Sequence, residues 1–347
     1  MLKKGSFLGL ISLVLIFLHA KAQEETDLVS FENKILEVRI VAKSQADSLS
    51  ITKENSSTPI LGTWTKSDRN DIFKPLIPLG AGKKYLVFRN GQKTDSIFLK
   101  RKKQAPPTVL AFYPSADTVP ENLLKCYIRF SKPMRDQNIY SFLAVKDEAG
   151  KVVEDVFLPL KPALWNMDQT VLTLWIDPGR VKRDLIRSRN LGTPLKAGRT
   201  YQIKISSEWK ALNGEKLPHD FRKSFFISER DEKIPNSSRW QINPPIANTS
   251  KSLSIIFSEN MDYRTALEGI KIYKGDQLIS GKPSLRNQER RWIFIPDSEW
   301  QTGNYIIKIE PTIEDNAGNN LIRPFDNDLG SDSNNSNNPL EISFSVN

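Results

Sequence analysis

Ile128-Arg129-Phe130-Ser131-Lys132-Pro133-Met134 returns as Ile255-Ile256-Phe257-Ser258-Glu259-Asn260-Met261, at an offset of 127 residues. Other landmarks flank both copies. Tyr113-Pro114 precedes the first and Asn243-Pro244 the second. Further on, Gly198-Arg199-Thr200-Tyr201-Gln202-Ile203-Lys204-Ile205 is matched by Gly303-Asn304-Tyr305-Ile306-Ile307-Lys308-Ile309, and Tyr201 to Tyr305 is an offset of 104. Asn213-Gly214 and Ala317-Gly318-Asn319 keep that offset. Each copy closes on an alternating strand, Ser224–Ile227 and Ile342–Val346. The chain therefore holds a repeat. The fall from 127 to 104 places 23 extra residues in the first copy, before its Gly-x-x-Tyr strand. Length changes between fixed landmarks are what loops on a common scaffold absorb.

The strong segments alternate apolar and polar residues with period two. Leu172-Thr173-Leu174-Trp175-Ile176 and Tyr201-Gln202-Ile203-Lys204-Ile205 are examples, and β-branched and aromatic residues dominate them. Lys146–Lys151 and Lys274–Gln277 read as hairpin connections. No long stretch keeps a helical period. The expected fold class is all-β, as tandem Ig-like β-sandwich domains. A third unit is expected in front, because Gly82-Lys83-Lys84-Tyr85 repeats the spacing of Gly198 and Tyr201. Linkers are placed at Lys100–Pro107 and Glu229–Ser238, where charge and proline resist burial in a sheet. The expected organisation is a signal peptide at 1–22, an N-terminal β-sandwich-like domain at 23–103, and Ig-like domains at 108–228 and 239–347.

The order Pro, Phe-Ser-x-x-Met, Gly-x-Tyr and Asp-x-x-Gly-Asn resembles the bacterial Ig-like domains of the SbsA type. Asp315-Asn316-Ala317-Gly318-Asn319 fits the late turn of that pattern well, and Leu212-Asn213-Gly214-Glu215 less well. The resemblance covers about residues 108–347. It implies an envelope or secreted β-protein, often in tandem arrays. It carries no active site that could be transferred, so fold does not supply function.

At the N-terminus, Lys3 and Lys4 precede an apolar run from Phe7 to Leu18, followed by Ala20-Lys21-Ala22. This is the pattern of a cleaved secretory signal. Cleavage after Ala22 leaves 325 of 347 residues, lowers the formal charge from +10 to +7, and leaves His219 as the one histidine. No second apolar stretch reaches membrane length, so the mature chain is expected to be exported without a transmembrane segment: periplasmic, at the cell surface or secreted.

Composition excludes several chemistries. One cysteine, Cys126, cannot close an intrachain disulfide or a cysteine-rich zinc site, and its alternating context reads as a buried strand. No Gly-x-Ser-x-Gly or His-Glu-x-x-His is present. Gly80-Ala81-Gly82-Lys83-Lys84 lacks Walker spacing. No catalytic, cofactor-binding or metal residue is assigned, and the protein is expected not to be an enzyme and to need no cofactor. Nucleic acid is excluded as a partner because the chain is expected to be exported and carries no accompanying motif.

Two sets of side chains remain as binding candidates. The insertion Asp177–Gly192 holds Arg180, Lys182, Arg183, Arg187 and Arg189 against two acids, and arginine forks match planar anions. Asp177 with Pro178 reads as a helix start, and Gly192 as the end of the excursion. Trp165, Trp209 and Trp300 sit in loop-like contexts and are candidates for stacking on sugar rings. The Asx-rich stretch 326–338 could offer oxygens to calcium together with Asp315, but lacks EF-hand spacing and reads as a low-complexity loop. The function expected from these residues is that of an exported non-enzymatic envelope protein, whose sandwiches bind a partner protein or act as scaffold and spacer. The alternatives are a carbohydrate-binding protein and, behind it, a carboxylate-based glycan-active enzyme. The expected partner is an envelope protein or a glycan.

Overall fold

The computed structural model describes residues 26–31, 34–101, 105–183, 185–326 and 338–347. The expected signal peptide, residues 102–104 of the basic linker and 327–337 of the Asx-rich stretch lie outside the described residues. The chain forms two compact units, Met1–Gln104 and Ala105–Asn347. The fold is all-β: the strands gather into sheets that are antiparallel except where Thr118–Pro120 pairs parallel with Phe221–Ser228, and the described residues include three short α-helices.

The first unit pairs Thr26–Phe31 with Lys34–Val41, then Asn70–Pro75, then Gly62–Thr65. A second sheet runs Leu49–Lys53, Lys84–Arg89, Gln92–Phe98. Alternation explains the core between them. In Lys84–Arg89 every second residue turns inward, and Tyr85 and Val87 join Ile35, Val38, Ile51 and Phe73.

The second unit contains two sandwiches, each with its own core. In the middle sandwich one sheet orders Leu164–Trp165, Val171–Trp175, Lys125–Phe130 and Val109–Tyr113. Its facing sheet orders Thr118–Pro120, Phe221–Ser228, Thr200–Ile205, Leu143–Lys146 and Val152–Val153. In the C-terminal sandwich the sheets are Gln241–Asn243, Leu253–Ile256, Arg291–Pro296, Gly281–Arg286 and Gln277–Leu278, Ile270–Lys274, Gly303–Ile309, Leu340–Val346. Inward residues of both sheets, such as Ile128, Leu172, Ile203 and Ile255, Trp292, Ile307, are fully buried.

Both sequence offsets become contacts. Met134 bridges Ala211, and Met261 bridges Asp315. These pairs differ by 127 at the first residue and 104 at the second, so the repeat is structural. The tyrosine landmark has a physical reason too. The Tyr85 hydroxyl accepts from the Gly80 N–H at 3.0 Å, Tyr201 from Lys196 at 3.2 Å and Tyr305 from Gln301 at 3.1 Å. The hydroxyl ties the strand to the turn that precedes it, as a tyrosine corner does.

Candidate functional site

The side chains of interest converge where the two sandwiches of residues 105–347 meet. The C-terminal sandwich presents the turn after Met261. Asp262 caps the helix Tyr263–Glu268 by accepting the Thr265 N–H at 2.9 Å, which satisfies one orphan donor of the first turn. The same carboxylate accepts the Tyr127 hydroxyl of the middle sandwich at 2.8 Å. Burial, followed by the Asp262 charge, pushes the Tyr127 phenol far up, so it stays a neutral donor. Beside it, the Tyr263 ring stacks on Tyr113 with centroids 3.7 Å apart and planes 11° apart.

A second contact comes from the hairpin between Gly281–Arg286 and Arg291–Pro296. Asn287, Gln288 and Glu289 all have positive φ, at 51°, 57° and 62°. Three consecutive left-handed residues other than glycine are costly, and such strain persists only where surrounding contacts enforce it. Here the turn drives Glu289, 2% exposed, onto Ser115, whose N–H and hydroxyl donate at 2.8 and 2.6 Å. Burial raises the Glu289 carboxyl, and the two Ser115 donors pull it back. Glu314 pairs with Lys125, whose ammonium also lies 5.0 Å from the Trp175 ring centroid.

The third contact is the Asp315–Asn319 turn. Asp315 accepts the N–H groups of Ala317 and Asn319 at 2.8 and 2.9 Å. The Asn316 carbonyl accepts the Leu124 N–H across the junction at 3.0 Å. Gly318 is required twice over: its φ is +84°, and a Cβ there would lie 2.5 Å from Leu124 Cδ2. Linker residue Asp231 is gripped from both sides. Its N–H and carbonyl bond the Asn122 amide at 2.9 and 2.7 Å, and the same carbonyl accepts from Asn319 at 3.0 Å.

One repeat earlier the same backbone bonds carry opposite charges. Asp262 N–H donates to the Glu314 carbonyl at 2.7 Å, as Arg135 does to Lys210 at 3.0 Å. Met261 donates to Glu289 and Met134 to Gln169. Glu259, Asp262, Glu289, Glu314 and Asp315 thus stand where the middle repeat has Lys132, Arg135, Gln169, Lys210 and Ala211.

The basic insertion also belongs to this junction. It begins as expected, with Pro178–Val181 helical and Asp177 accepting the Gly179 N–H at 2.9 Å. Arg180, expected to face a ligand, is instead buried. It donates to the Gly192 and Asp155 carbonyls, both at 2.9 Å, and so closes the base of the loop. Arg183 reaches Asp326 and Glu232, and Arg230 joins it on Asp326 at 3.1 Å. Lys182 lies over the Phe325 ring at 4.6 Å. Arg187 returns to Asp177 at 2.9 Å, and Arg189 also has an interaction partner. The insertion therefore straps the middle sandwich to residues 325–326 of the C-terminal one. Because the Arg183 N–H donates to Asp326 at 3.0 Å, Asp326→Asn should raise the exchange rate of that amide by about tenfold, measured by hydrogen exchange.

The tryptophan candidates are corrected by burial. Trp209 is 0% exposed, with Phe130, Phe142 and Trp165 around it and Nε1 on the Arg135 carbonyl at 3.0 Å. Trp300 is 2% exposed and donates to the Lys251 carbonyl at 2.7 Å. Neither offers a face to a sugar. Trp165 is half-buried and donates to Asp136 at 2.8 Å. Cys126 is buried and its thiol is pushed up by burial, which leaves it unreactive.

A cleft of about 640 Å³ opens at the junction beside Asp117, Glu229, Arg230 and Arg290. In it, Asp231, Glu259 and Asp315 each bring a carboxylate oxygen within 4.8 Å of the others, the one such acidic group among the described residues. Of these oxygens, Asp315 Oδ1 already accepts two N–H donors, from Ala317 and Asn319. The trio is a set of crowded like charges; the sequence singled out Asp315 as a possible calcium ligand beside 326–338, but not Asp231 or Glu259. Comparing the two repeats position by position for charge would have exposed it.

A model of the bacterial Ig-like domain family matches residues 243–345. No curated protein matches the chain. Among solved structures, the N-terminal part of the bacterial S-layer protein SbsC is 10% identical, with 70% of this chain and 44% of that one covered and a TM-score of 0.26. Native alpha-2-macroglobulin from Escherichia coli is 13% identical, covering 70% and 71%, at 0.24. The FN1–FN3 domains of chicken CNTN1 are 10% identical, covering 93% and 98%, at 0.19. This chain spans less than half of the SbsC fragment. Among the described residues no helix is long and apolar enough to cross a membrane.

Proposed function

We propose that the protein is an exported, non-catalytic envelope module in which residues 105–347 form a stiff two-sandwich arm that spaces or presents a protein-binding surface. The observation that carries this reading is the junction. Stacked tyrosines, four charged or polar pairs and the inserted strap join two sandwiches that a short linker alone would leave free to swing. A spacer needs that stiffness, and a partner-binding arm gains from it because less freedom is lost on binding. We also read both repeats as SbsA-type. Export rests on the signal pattern at 1–22, and cleavage after Ala22 would show as a mature chain that begins at Gln23 by N-terminal sequencing.

Stiffness is tested in the full chain by spin labels at Met167→Cys and Ile295→Cys, two exposed positions on different sandwiches. The buried native thiol of Cys126 stays unlabelled. A single narrow distance distribution is expected. A broad distribution, as for freely jointed domains, would overturn the arm.

A further inference from the structure

The crowded carboxylates straddle the junction. Asp231 lies in the linker, held to the middle sandwich through Asn122 and to the C-terminal one through its carbonyl on Asn319, whereas Glu259 and Asp315 belong to the C-terminal sandwich. Their mutual repulsion therefore opposes the Asn319–Asp231 contact that closes the linker onto the C-terminal sandwich. We propose that Asp231, Glu259 and Asp315 form a proton-held latch: protonation within the set relieves their repulsion and lets the linker close onto the 315–319 turn, and loss of the proton loosens the docking while each sandwich stays folded. The latch rests on the docked pair described above and adds a control to it.

The surroundings support this. Asp315 is 3% exposed, and burial, with Asp231 and Glu259 adding to it, pushes its carboxyl up to about 8 from 3.8. Burial and Asp231 also raise Glu259. Two Asn319 donors oppose the shift at Asp315, and the Asn236 N–H and Arg290 oppose it at Glu259. Arg230, the other cation lining the cleft, is engaged by Asp326 and Glu232. Glu229 adds negative charge from the linker, while Asp117 of the middle sandwich is paired with Lys223, and Glu314, next in sequence, with Lys125. Like charges at such range disfavour one another's ionised form, which adds to burial at Asp315 and Glu259. A carboxyl raised in the docked state stabilises that state fully below its free value. The stabilisation is lost as pH rises through the docked value, so docking weakens between about pH 4 and pH 8.

The Leu124 amide reports docking directly, because its acceptor is the Asn316 carbonyl across the junction. In the full chain with EDTA present, its hydrogen-exchange protection factor, corrected for intrinsic base catalysis, should fall by at least about tenfold between pH 6 and pH 9. Protection at Ile203, within the middle sandwich, should not change. Glu259→Gln removes one like charge and should flatten the pH response. Asp231→Asn is the second variant if the first folds poorly. A Leu124 protection factor that does not vary with pH would overturn the latch while leaving the stiff arm intact. Recovery of protection at pH 9 on adding calcium or magnesium, reversed by EDTA, would also overturn it, since the cluster would then be held by a cation.

Discussion

Gly318→Val should uncouple the two sandwiches of residues 105–347 without unfolding either. The position has φ +84°, where a β-branched residue costs about 1–2 kcal/mol. The new Cβ would stand 2.5 Å from Leu124 Cδ2 and 3.3 Å from Phe325 Cγ. Overpacking of that kind costs about 1–3 kcal/mol. The turn lies at the edge of its own domain, so the strain is relieved by moving away from Leu124 rather than by disrupting a core. Protection of the Leu124 amide should fall about a hundredfold, equivalent to about 2.7 kcal/mol. The labels at 167 and 295 should report a broadened distance. Far-UV circular dichroism should be unchanged.

Trp209→Ala should cost the middle sandwich about 3–5 kcal/mol. Trp209 is enclosed by three aromatic rings, with centroids 5.2–6.1 Å away, and its removal leaves a cavity that rigid sheets cannot collapse into. The Arg135 carbonyl also loses its donor. Calorimetry should show a melting temperature lower by about 10–20 °C for the transition of that sandwich. A stacking residue on a glycan site would behave in the opposite way: Trp209→Ala would leave the melting temperature unchanged and abolish glycan binding.

These two residues mark what sequence can and cannot convey. Gly318 was visible as part of an Asp-x-x-Gly-Asn turn, and the repeat offsets were visible as shared landmarks. Both depend on local spacing, which a linear chain records directly. The glycine–tyrosine spacing at Tyr85, Tyr201 and Tyr305 was legible for the same reason, although the corner bond it encodes, spanning four or five residues, emerged only in the structure. Trp209 was misjudged because its neighbours Phe130, Phe142 and Trp165 come from distant segments, while its immediate context is polar. The basic insertion was found but its role was not. Its acidic partners, Asp326 and Glu232, lie 143 and 49 residues from Arg183, and only docking brings them together. Glu289 carried no signal, since the turn that aims it is made of ordinary residues in an unusual backbone state.

The reversal of charge between the repeats has a consequence for how such a chain can grow. A second copy of the middle repeat in the C-terminal place would bring Lys210 toward Lys125 and Arg135 toward Tyr127, where Glu314 and Asp262 now stand. Nor could the C-terminal repeat stack on its own duplicate, because Ser252 and Ser254 occupy its counterparts of Lys125 and Tyr127. The modules are not interchangeable beads. Their order is a polarity encoded in charge, so tandem duplication of either one yields loosely jointed neighbours until its facing ends have diverged.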